Sequence, residues 1–100
     1  MKISMQPTYL QITHIRGGTS VDHKAIKAYR WKDKLTGKTK WNDREKFVEE
    51  ILRSNGMIRP FVQIGTDRVY CKPKIVGSTH YLETYPNATQ KDNLLNLPQF

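Results

Sequence analysis

At 100 residues, with 37% of them hydrophobic and 26% charged, the chain suits one folded domain; it is too short for two and too apolar for a disordered tail. Cys71 is the only cysteine, which excludes an intramolecular disulfide and favours a reducing compartment. No apolar run approaches the ~18 residues that could span a bilayer, and Met1 to Pro7 lacks the apolar stretch of a signal peptide, so a cytoplasmic location with no membrane partner is expected. A net charge of +8 raises affinity for polyanions, although where the charge lies matters more than its sum.

Residues 1–7 read as a loose lead-in and residues 8–100 as a single α+β domain. The first strand is expected over Tyr9–Arg16, where Leu10 and Ile12 alternate with Gln11 and Thr13. Ile15 breaks that alternation and suggests a bulge or a second covered face. Gly17-Gly18 opens a turn or loop running to His23. A second strand is expected over Ala25–Lys32, with Ile26, Ala28 and Arg30 on one face and Lys27, Tyr29 and Trp31 on the other. Asp33 to Lys40 reads as a turn closed by Trp41.

The helix is expected from about Asp43 to Ser54. Asn42-Asp43-Arg44-Glu45 has the pattern of a helix start, with Glu45 placed to complete a capping box. Phe47, Val48, Ile51 and Leu52 form an apolar stripe, and Asn55-Gly56 supplies a left-handed stop. Met57–Ile64 and Asp67–Ile75 then read as a hairpin about Gly65-Thr66, with Pro60 marking an edge or an irregular start. Thr79–Thr84 gives a further short strand.

Residues 85–100 carry Leu94, Leu95, Leu97 and Phe100 and are expected to pack back as an extended clasp. The coarse order is β-β-α-β-β-β, a small and mainly antiparallel sheet of four to five strands with one helix on a face. Its core is expected to draw on Leu10, Ile12, Ile26, Phe47, Val48, Ile51, Leu52, Val62, Ile64, Val69 and Leu82.

Several of these segments, taken together, resemble a known family. They are Ile12-Thr13-His14-Ile15-Arg16, Asn42-Asp43-Arg44-Glu45, Asn55-Gly56, Tyr81-Leu82-Glu83-Thr84 and, most distinctively, Asp92-Asn93-Leu94-Leu95-Asn96-Leu97-Pro98. In that order the chain is similar to the small bacterial domains grouped as domain-of-unknown-function family 3892. The resemblance implies a compact small domain and no activity.

Enzymatic chemistry has little support in the sequence. His14, His23 and His80 belong to no metal-ligand spacing, and one cysteine cannot build the usual structural zinc site. Cys71 sits among alternating strand residues with no nucleophile elbow around it and reads as a small hydrophobe. Gly17-Gly18 lacks the remainder of a phosphate-binding loop, and Glu49-Glu50 reads as a solvated helix face. No catalytic residue, metal or cofactor is therefore expected.

The basic segment from Lys24 to Lys46 is the functional lead, because it holds nine of the chain's 17 Lys and Arg with Tyr29, Trp31 and Trp41 interleaved. Phosphates take up the positive charge, and unpaired bases stack on rings. Lys27, Arg30, Trp31, Lys32, Lys34, Lys38, Lys40 and Trp41 are the expected nucleic-acid-binding residues of a non-enzymatic accessory domain, its partner DNA or RNA. The alternative is a protein-interaction module that uses a sheet edge or the C-terminal segment.

Overall fold

The computed structural model describes residues 6–17, 25–84, 94, 95 and 97–100. Within them lie β1 (Thr8–Arg16), β2 (Ala28–Asp33), β3 (Thr39–Asp43), α1 (Arg44–Arg53), β4 (Ile58–Ile64), β5 (Asp67–Tyr70), β6 (Lys72–Val76) and β7 (Thr79–Glu83). Five strands form one sheet in the order β3-β2-β1-β4-β5, and β6 and β7 form a separate hairpin. β1 and β4 pair in parallel, while every other named pair is antiparallel. The helix accounts for that exception. It carries the chain from the β3 edge back across β2 and β1, so β4 enters beside β1 in the same direction.

The expected α+β class and the disposition of strands around a single helix hold, with local differences. β3 occupies Thr39–Asp43, a stretch read as turn and helix start, and pairs with β2 over Ala28–Asp43 to Lys32–Thr39. β2 begins at Ala28 rather than Ala25, because the Lys27 N–H is spent on the Arg16 carbonyl at 2.7 Å and its own carbonyl accepts from Arg44 N–H. The run from Asp67 to Ile75 breaks at Cys71, whose N–H turns to the Pro60 carbonyl. Pro60 itself is buried in β4, one strand in from the edge. Its missing donor faces the same side as that carbonyl, just beyond the end of the β4–β5 ladder, where no ladder bond is lost.

The irregularity expected near Ile15 is a bulge at Thr13: Ile12 pairs with Trp31 and His14 with Arg30, leaving Thr13 unmatched. Leu10, Ile12 and Ile15 consequently all face the core, although Ile15 falls out of the two-residue period. At the helix start the capping box does not form. Asp43 is the N-cap and makes no side-chain capping bond, and the Asn42 side-chain Oδ1 accepts from Trp31 Nε1 at 2.9 Å instead of capping the helix. Glu45 instead meets Arg44 and His80. At the other end Asn55 (φ 58°) and Gly56 (φ 88°) make the left-handed stop.

The core lies between the inner sheet face, α1 and the β6–β7 hairpin. Leu10, Ile12, Ile26, Phe47, Val48, Ile51, Val62 and Leu82 are buried as expected. Leu52 is not; it is 40% exposed, since one step of about 100° past Ile51 takes it off the buried stripe. Ile64 and Val69 are half-buried near the hairpin turn. Ile15, Tyr29, Cys71 and Leu94 complete this core cluster, while Phe61 is buried on the opposite face of the sheet. The lead-in at residues 1–5 and the clasp over residues 85–93 and 96 lie outside the described residues. Leu94 is fully buried, Leu95 and Leu97 pack against the core, and Gln99 bridges to Ile15.

Candidate nucleic-acid interface

Alternation along each strand gives the large sheet two different faces. Tyr29 and Trp31 point to the helix, where their rings lie 5.5 and 6.2 Å from that of Phe47. Arg30 and Lys32, at the intervening positions of β2, point the other way. The registers extend this outer face across the sheet. Thr39 and Trp41 join it from β3, Gln11, His14 and Arg16 from β1, Arg59, Phe61 and Gln63 from β4, and Arg68 and Tyr70 from β5. The bulge at Thr13 puts Thr13 and His14 both on this face and keeps Arg16 there too.

Two clusters of cations and rings result. Near β3, the Phe100 ring lies beneath the guanidinium groups of Arg16 at 4.5 Å and Arg30 at 4.7 Å, and Arg16 also lies 5.3 Å from the Trp41 ring. The Phe100 ring is 6.4 Å from His14 and 6.3 Å from Trp41. Backbone bonds fix it there, with Ile15 N–H donating to Pro98 and Phe100 N–H to Ile15, while Arg16 Nε donates to the Phe100 carbonyl. Near β5, Arg68 lies 4.4 Å from the Phe61 ring and 5.4 Å from Tyr9, and Arg59 lies 6.0 Å from Tyr9. Tyr70 closes this group against Phe61 and Tyr9.

Arg16, Arg30, Lys32, Arg59 and Arg68 thus share one face, on which Asp43 is the single acidic position among the described residues. None of the five cations pairs with an acidic side chain among the described residues, although Arg16 Nε donates to the Phe100 main-chain oxygen at 3.2 Å. Cation–ring contacts hold the arginines extended over the sheet without neutralising them.

Of the eight residues singled out in the sequence, Arg30, Lys32 and Trp41 meet on this face. Lys34 reaches it from the β2–β3 turn, its amine 3.4 Å from Gln11 Oε1. Trp31 lies on the helix side, stacked on Phe47, and Lys40 pairs opposite it on that side of β3. Lys27 precedes β2 and Lys38 precedes β3, both exposed. Tyr9, His14, Arg16, Arg59, Phe61, Arg68, Tyr70 and Phe100 were not singled out. The alternating Arg59, Phe61 and Gln63 with Arg68 and Tyr70 carry the pattern of the second cluster; nothing in the sequence signals where Phe100 docks.

The other polar groups have structural partners. His80 Nδ1 lies 3.0 Å from Glu45 Oε2, tying the hairpin to the helix start. The Arg44 guanidinium, and after it His80, holds the Glu45 carboxyl below its usual range. Burial pushes the Tyr29 hydroxyl well above its ordinary pKa, and its oxygen accepts the Leu82 N–H at 3.3 Å. A cavity of about 540 Å³ opens between the helix C-terminus and β4–β6, lined by Leu52, Ile58, Pro60, Tyr70 and Pro73, with Cys71 in its wall. Among the described residues no three His, Cys, Asp or Glu gather to hold a metal ion, and no helix is long and apolar enough to cross a membrane.

A family model described as "Protein of unknown function (DUF3892)" matches residues 11–98, which takes in the sheet from Gln11 of β1 onward, the helix and the β6–β7 hairpin. No curated protein and no solved structure matches the chain.

Proposed function

The chain belongs to the DUF3892 family, and from that premise we propose a function on its own open sheet face: a non-enzymatic accessory domain that binds nucleic acid there. The observation that carries the reading is the gathering, on one face of the five-stranded sheet, of exposed rings and five cations that pair with no acidic side chain among the described residues. A phosphodiester chain complements such a surface, and its binding releases counterions.

The test is fluorescence anisotropy with labelled 12-mer oligonucleotides at about 50 and 200 mM salt. With three to five phosphates engaged, the affinity should fall roughly 20- to 130-fold between those salts. Lys32→Glu, on the outer face, should weaken binding more than Lys40→Glu, exposed on the helix side. Equal losses from the two folded variants would overturn the assigned face. No binding at the lower salt would overturn the reading itself.

A further inference from the structure

We infer that the face takes an unpaired strand rather than a duplex, its bases stacking on Trp41 and Tyr70; this rests on the nucleic-acid reading above. The two rings are the ones left open for it. Trp41 is 49% exposed and Tyr70 46%, whereas Phe61 is fully covered and Trp31 faces the helix. They sit on β3 and β5, at opposite edges of the five-stranded sheet. Four interstrand steps separate those edges, roughly 19 Å. That is room for about four nucleotides, at the small end of known single-strand sites.

Between the rings lie the arginines of β2, β1 and β4, and Arg68 beside Tyr70. Their guanidinium groups already lie over the rings of Phe100, Tyr9 and Phe61, and a guanidinium so held can still offer N–H donors to phosphates running across the strands. A duplex fits this surface poorly. Its base faces are closed within the stack, so Trp41 and Tyr70 gain nothing from them. A sheet about 19 Å across is also too wide to enter a major groove of about 12 Å.

The experiment is a paired titration of the whole chain with 12-mer oligo-dT, oligo-U and a 12-base-pair duplex. Trp41→Ala, Tyr70→Ala and the ring-retaining Trp41→Phe are titrated alongside, after their melting temperatures confirm folding. Single strands of either sugar should bind at least about tenfold more tightly than duplex. Trp41→Ala and Tyr70→Ala should each weaken single-strand binding roughly 5- to 150-fold and leave duplex binding unchanged, while Trp41→Phe retains most of it. In Trp31→Phe, where Trp41 is the remaining tryptophan, a single strand should quench the fluorescence. Duplex binding as tight as single-strand binding, or single-strand binding indifferent to both alanine variants, would overturn this inference and leave the polyanion reading standing. If no oligonucleotide binds, both fall.

Discussion

Replacing Phe100 by Ala removes the ring on which Arg16 and Arg30 converge, while the backbone bonds joining Pro98 and Phe100 to Ile15 can remain. Two guanidinium–ring contacts at a half-exposed site contribute about 0.5–1 kcal/mol each. The edge contact with His14 and the tilted one with Trp41 add about 0.5 kcal/mol more between them. The expected loss is therefore about 2 kcal/mol. In a domain of 100 residues each kcal/mol moves the midpoint by about 4–8 °C, so the melting temperature should fall roughly 8–16 °C. Circular dichroism melts at one protein concentration read this directly. Phe100→Leu, which keeps apolar bulk but not the π face, should recover less than half of the loss. A fall under about 2 °C for Phe100→Ala, or full recovery with Leu, would refute the assignment of this energy to the arginines.

The helix offers a paired test of which stripe is buried: Ile51→Ala should cost about 2–5 kcal/mol, and its neighbour Leu52→Ala, half open to solvent, less than about 1 kcal/mol by urea denaturation. Glu45 sets a pH dependence. Because Arg44 and His80 depress its folded pKa, its stabilisation is present above the ordinary carboxylate range and is lost as pH falls through the folded value. Glu45→Gln should therefore be less stable than the parent at neutral pH, and the two curves should converge once pH falls below the depressed folded value. A gap that is constant with pH would refute that role.

The helix, its stop at Asn55-Gly56 and the β4–β5 hairpin were legible because each depends on neighbours in sequence. The family was legible too, from its C-terminal signature. β3 was not, since Thr39 to Asp43 carries a lysine, an asparagine and an aspartate and owes its strand state to pairing with β2. The capping box is a similar case, in which an indole eleven residues away engages the Asn42 side chain. At the site, the opposition of Arg30 to Trp31 followed from alternation within one strand. Which strand neighbours which did not, so the cluster of Tyr9, Phe61, Arg68 and Tyr70 stayed hidden even though its pieces alternate correctly.

The route by which Phe100 reaches the face has a consequence for the newborn chain. The residue lies 84 positions beyond Arg16, whose guanidinium it anchors. At a synthesis rate of about 5–20 residues per second, Arg16 waits roughly 4–17 s for that ring to be made. β2 to β5 are translated within that interval, so every strand of the sheet is synthesised before the ring that Arg16 and Arg30 share. The arginine cluster beside Trp41 thus gains its shared ring only after every strand beneath it has been made.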